Sequence, residues 1–161
     1  MKLSTADRNK IDSTDDEFFY QQPRYVNHLS NSFRNRLTEL YKNYLCSHHI
    51  ILDLMSSWVS HLPPNESYKK VIGHGMNEAE LNSNKRLDRY WIQNLNKTQN
   101  MPIEDSSIDA GLIVAGWQYL QYPEQVSLEL SRIIKPDSLL IISFTNRAFW
   151  TKASNIWTYS S

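Results

Sequence analysis

The chain has 161 residues, 17 basic and 17 acidic side chains, four glycines, one cysteine and 12% aromatic residues. This length suits one domain, which at such a size buries roughly 68–70% of the surface its unfolded chain would expose. The balanced charge offers no argument for nucleic acid or an anionic membrane, and the lone Cys46 excludes an internal disulfide framework and suits a reducing cytosol. No apolar run approaches the ~20 residues of a membrane span. The polar start MKLSTADRNKIDSTDD has no apolar segment behind its charges, so it is not a secretory signal. A neutral, cytoplasmic, enzyme-sized domain is expected.

Residues 1–16 are polar and without periodicity, and read as a disordered arm ahead of a folded domain over 17–161. From Val26 to Leu45 apolar side chains step by three and four, the pattern of an amphipathic helix. His49 to Leu54 is a short continuous apolar run, as in a strand buried on both faces of a parallel sheet. Lys69 to His74 reads as a second strand, and Glu78 to Leu81 opens a helix that fails near Asn82. Arg89 to Gln93 is a third strand candidate, and 94–107 is irregular. Ala110 to Gly116 reads as a fourth strand. Pro123 then starts a helix that stops before Lys135-Pro136, and Leu139 to Phe144 is a fifth strand. Strands alternating with helices predict right-handed βαβ units: an α/β, Rossmann-like parallel sheet with helices on both faces, in three layers.

In such sheets ligands sit at the carboxyl ends of the strands, where strand order reverses. That rule selects Asp53 to Ser57, then His74-Gly75-Met76-Asn77, Asn94-Leu95-Asn96, and Gly116 to Tyr119. An acid ending a buried strand is costly to desolvate, so Asp53 needs partners from backbone, water or a ligand. His28, His61 and His74 have no partners at zinc-ligand spacing, and His48-His49 point to opposite faces, so no metal site is expected. Cys46 has no base beside it. Most aromatics in α/β domains are core, but Trp117 follows a strand end directly.

The segments ILDL (51–54), VIGHGMNEAEL (71–81), MPIEDSSIDAGLIVAGWQYLQYPEQ (101–125) and LSRIIKPDSLLIISF (130–144) stand in an order that resembles class I S-adenosylmethionine-dependent methyltransferases. The likeness is to the small-molecule type called methyltransferase type 11, in a divergent cyanobacterial or bacterial branch. The resemblance implies S-adenosylmethionine as cofactor and a small-molecule acceptor, with no nucleic acid or membrane as partner. It implies Asp53, Leu54, Met55, Ser56 and Ser57 beside the methionine moiety, Gly75, Met76 and Asn77 by the ribose, and Asn94 and Leu95 at adenine. Trp117, Gln118 and Tyr119 would face the acceptor.

The departures are as specific. Met55, Ser57 and Val59 stand where the family has glycines, and forcing such residues left-handed costs roughly 1–2 kcal/mol, so another course is expected for this loop. Gly75 replaces the acid that grips the ribose, and Asp137-Ser138 replaces a glycine pair. Two further strands of the family's seven would fall beyond residue 161. The exposed sheet edge this predicts could pair with a second copy. An alternative to an active enzyme is therefore a methyltransferase-like binding or interaction domain with a degenerate cofactor site. A nicotinamide-dependent oxidoreductase is disfavoured, because no G-x-G-x-x-G follows the first strand.

Overall fold

The computed structural model describes residues 3–159. Two short helices, α1 (Thr5–Arg8) and α2 (Asp16–Phe19), lead into α3 (Asn31–Tyr44), β1 (Ile50–Leu54), β2 (Lys70–Gly75), α4 (Glu78–Ser83) and β3 (Arg89–Ile92). There follow β4 (Ile108–Val114), α5 (Pro123–Ile133), β5 (Ile134–Ser143) and α6 (Asn155–Tyr159). All five strands are parallel, in the order β3-β2-β1-β4-β5. The order reverses between β1 and β4, as expected of a doubly wound sheet.

Alternation along the strands makes two cores. Leu52 and Leu54 of β1 and Ile108 and Ile113 of β4 face α5, whose Val126, Leu130 and Ile133 are buried against them. Ile51, Val71, Ala110 and Leu112 face the opposite way, onto Leu37 and Tyr41 of α3. Strands buried on both faces explain why they read as near-continuous apolar runs.

Helix α3 begins five residues later than the apolar spacing suggests. Ser30 caps it by accepting the Phe33 N–H, leaving 26–30 as irregular chain with bends at Val26 and Leu29. Strand β5 starts earlier than expected. Ile134 already pairs with Ile108, a bulge within the strand interrupts the ladder, and pairing resumes from Leu139 opposite Ala110. Asp137 takes a left-handed φ of 60° there, at a position where the resemblance implies glycine. Arg132 fastens the preceding connection, donating to the carbonyls of Met101 and Ile103 and to Asp105, while Glu129 receives the Met101 N–H.

Residues 3–16 are packed rather than a disordered arm; Met1 and Lys2 lie outside the described residues. Arg8 pairs with Glu124, and Lys10 bridges to Ser154 through its backbone while its ammonium meets Asp16 at 2.6 Å. Lys152, fully buried, donates to the Thr14 carbonyl at 2.6 Å and lies 3.3 Å from Asp12. Polar composition alone suggests disorder. The partners that offset it come from the other end of the chain.

Candidate active site

A cleft of about 510 Å3 opens at the carboxyl ends of the strands, within the ~300–1,000 Å3 usual for ligand sites. Asp53, Met55 to Ser57, Gly75 to Asn77, Asn94 to Asn96 and Val114 to Gly116 line it. The segment from Asp16 to Leu29 and Arg147 to Phe149 complete its walls. The two terminal segments meet there: Phe19 and Phe149 pack edge to face at 5.2 Å, and the Phe149 N–H donates to the Tyr119 hydroxyl at 2.9 Å.

Met55 takes a left-handed φ of 58°, so the loop after β1 keeps the turn that a glycine would make, contrary to the different course expected. His74 holds it in two ways. Its Nδ1 accepts the Met55 N–H at 3.2 Å, and its carbonyl accepts the Ser56 N–H at 2.7 Å. Because Nδ1 accepts, the proton belongs on Nε2, which donates to the Gln93 carbonyl at 3.0 Å. Burial pushes the imidazole down to about 4, and it is neutral. His74 is thus a neutral bridge between three strand ends.

Serines then do what glycines do not. Ser56 and Ser60 both donate to Oδ2 of Asp53, the first at 2.7 Å, and Ser57 donates to Glu80 at 2.5 Å. Asn84 reaches the Ser57 carbonyl at 2.9 Å and the Ser60 hydroxyl at 3.0 Å. Asp53 is 6% exposed; burial raises its pKa against the lowering effect of the two serine hydroxyls. Its Oδ1 accepts no hydrogen bond among the described residues, and stays available to a ligand in the cleft.

At the end of β2 the sheet is bare. A Cβ on Gly75 would stand 2.7 Å from the Ser56 carbonyl oxygen, and one on Gly116 would stand 2.9 Å from the Met55 Cβ. Asn77 caps α4 through Oδ1, which accepts the Glu80 N–H at 3.0 Å, and its Nδ2 donates to the Tyr20 and Gln21 carbonyls. Oδ1 of Asn94 accepts the Asn96 N–H at 2.9 Å, and Leu95 is buried beside it. Asn94 can therefore offer a ligand the second lone pair of that oxygen.

Of the residues selected from the sequence, Asp53, Met55, Ser56, Ser57, Gly75, Met76, Asn77, Asn94, Leu95 and Tyr119 share this cleft. Three do not. Leu54 is fully buried in the core, because the strand's alternation turns it toward α5. Trp117 packs against the same core from the turn 117–119, and Gln118 is buried, its Nε2 donating to the Ala115 carbonyl. Glu80, Tyr20, Arg24 and Phe149 line the cleft without having been selected. Glu80 carried a legible signal, three residues after Asn77 in the first turn of a helix that opens just beyond a strand end. The terminal residues carried none.

The parallel order and the cleft at its switch point define a Rossmann-like architecture. A methyltransferase domain family matches residues 56–142, more than half of the chain, and the chain belongs to that family. Among curated proteins none matches it. Among solved structures, the PH0226 protein of Pyrococcus horikoshii is similar at 19% identity and a TM-score of 0.60, over 81% of this chain and 66% of that one. The BH2331 protein of Bacillus halodurans is similar at 15% identity and 0.58, over 74% and 53%. The [4+2]-cyclase SpnF is similar at 13% identity and 0.58, over 83% and 59%. Identities this low speak for the fold alone, and the chain spans between about half and two thirds of these proteins' lengths.

S-adenosylmethionine is the cofactor that this family implies. The residues present fit such a group: a cleft of adequate volume, two buried carboxylates in Asp53 and Glu80, an amide at Asn94, and apolar contact from Met76 and Leu95. Among the described residues no helix is long and apolar enough to cross a membrane.

Proposed function

We propose that this chain carries an S-adenosylmethionine-dependent methyltransferase domain that acts on a small-molecule acceptor. The observation that supports it most is the cleft at the β1/β4 switch point with the buried Asp53 carboxylate at its floor. Asp53 with Met55, Ser56 and Ser57 would border the methionine end, Gly75, Met76 and Asn77 the ribose, and Asn94 and Leu95 the adenine. Tyr119, with its neighbour Phe149 and with Tyr20, would meet the acceptor. The bound cofactor supplies an electrophilic methyl group on a sulfonium. What the protein then contributes is in-line placement of the acceptor, an effect of proximity and orientation. With no charge excess, a nucleic-acid acceptor is not part of this reading, and the protein is read as cytoplasmic. A homo-oligomer would use the outer edge of β5.

A second reading is favoured by the Ser56 carbonyl, which fills the space where a side chain at 75 would begin. In that reading the fold persists as a binding or interaction domain with a decayed cofactor site. Isothermal titration with S-adenosylmethionine and S-adenosylhomocysteine separates the two. The first reading expects saturable heat for both; silence at millimolar ligand would sink it. Cofactor found on the purified protein by mass spectrometry would count against the second.

A further inference from the structure

We infer that Glu80 has taken over the missing acid's role at the end of β2, accepting the two hydroxyls of the cofactor's ribose. The inference rests on the cofactor reading above. Position 75 cannot carry the acid, because any Cβ there meets backbone at Ser56. Glu80 lies five residues on, in α4, and lines the same cleft as Gly75 and Asn77. It is 8% exposed, so its carboxylate is nearly as buried as that of Asp53.

Its present partners leave it incomplete. Oε1 accepts the Arg24 backbone N–H at 2.7 Å and Oε2 accepts the Ser57 hydroxyl at 2.5 Å. Among the described residues no lysine, arginine or histidine forms an ion pair with it, whereas Asp16, the other acid on that side of the cleft, is matched by Lys10 and Lys152. A carboxylate offers about four lone-pair sites, so two remain here. A buried charge held by two neutral donors alone is under-compensated, and further donors stabilise it. A vicinal diol supplies two hydroxyl donors on adjacent carbons, matched to the two oxygens of one carboxylate. Ser57 fixes the carboxylate from the loop side, which explains a serine where backbone alone would otherwise approach the ligand.

The test compares S-adenosylhomocysteine with its 2′,3′-dideoxy analogue by isothermal titration, on the wild-type chain and on Glu80→Gln. Loss of hydrogen bonds to a charged acceptor predicts that wild type binds the analogue roughly tenfold to a hundredfold more weakly. Glu80→Gln keeps a neutral acceptor, so it should bind S-adenosylhomocysteine about three- to tenfold more weakly and distinguish the two ligands about three- to tenfold less than wild type does, as expected when charge assistance is lost. Equal binding of both ligands by wild type overturns the inference without any variant. A Glu80→Gln chain that still discriminates as wild type does overturns it too, while leaving the cofactor reading intact. Absence of S-adenosylhomocysteine binding to wild type removes the cofactor reading, and the inference with it.

Discussion

Gly75 and Ser56 occupy each other's space: the Ser56 carbonyl oxygen lies 2.7 Å from where a Cβ on Gly75 would be. A side chain at position 75 and the present course of the loop after β1 therefore exclude each other. Restoring the family's acid by Gly75→Asp should lower stability by about 1–3 kcal/mol, as overpacking against unyielding backbone does. For a chain of this size that is a fall of roughly 2–12 °C in Tm by scanning calorimetry. The same variant should bind S-adenosylhomocysteine no more tightly than wild type. Tighter binding would mean that the loop moves aside at little cost.

Met55 is the backbone counterpart of that relationship. Its φ of 58° lies in the left-handed region, where a side chain costs about 1–2 kcal/mol and glycine costs almost nothing. Both Met55→Ala and Met55→Gly remove the packing against Gly116 and the neighbouring core. Comparing the two variants isolates the backbone. Glycine should be the more stable by about 1 kcal/mol in urea unfolding, reversing the order found at ordinary positions. An alanine variant as stable as the glycine one would place Met55 outside the left-handed region.

These two positions also show what could be read in advance. The strands were legible because burial on both faces writes an apolar run, and the site's floor followed from the rule about strand ends. The loop's course was not, since the cost of a left-handed residue other than glycine argued for another path. Among the described residues no glycine has a positive φ; Met55, Ser106, Ala115 and Asp137 supply those turns instead. A side chain in that conformation is tolerated where bonds such as those from His74 hold the loop, and His74 lies 19 residues away in sequence. The terminal walls were illegible for the same reason. Nothing near Asp16 or Lys152 in sequence announces that they face each other.

Asp53 joins the fold and the site, and its two duties separate by substitution. Asp53→Ala would leave the Ser56 and Ser60 hydroxyls without their acceptor, costing about 2–3 kcal/mol. Asp53→Asn keeps an acceptor oxygen and sheds a charge that burial already disfavours, as its raised pKa indicates. Its stability in chemical denaturation should stay within about 1 kcal/mol of wild type. Its affinity for S-adenosylmethionine should nevertheless fall, because the free Oδ1 faces the cleft as a charged acceptor. An asparagine variant as unstable as the alanine one would assign Asp53 to folding alone.

His74 gives the fold a definite pH dependence. The imidazole is 2% exposed and its pKa is depressed to about 4, against 6.5 for an ordinary histidine. Between those values the unfolded chain binds a proton that the native state refuses, so stability rises with pH there and is lost as pH falls from 6.5 toward 4. At 1.36 kcal/mol per pKa unit the whole window is worth about 3 kcal/mol. Half-buried His61, also depressed to about 4, acts in the same direction, whereas the raised pKa of Asp53 opposes it. Comparison with His74→Asn removes both, since that variant retains His61 and Asp53 and offers an oxygen to the Met55 N–H in place of Nδ1. At pH 7 the variant should be the less stable, having lost the bond to Gln93 and part of the ring's packing against Trp91. The gap should narrow by about 3 kcal/mol as urea unfolding is followed from pH 7 to pH 4. A gap that is constant over this range would mean that His74 accepts a proton in the folded state, and that the bridge from Met55 to Gln93 is not made by a neutral ring.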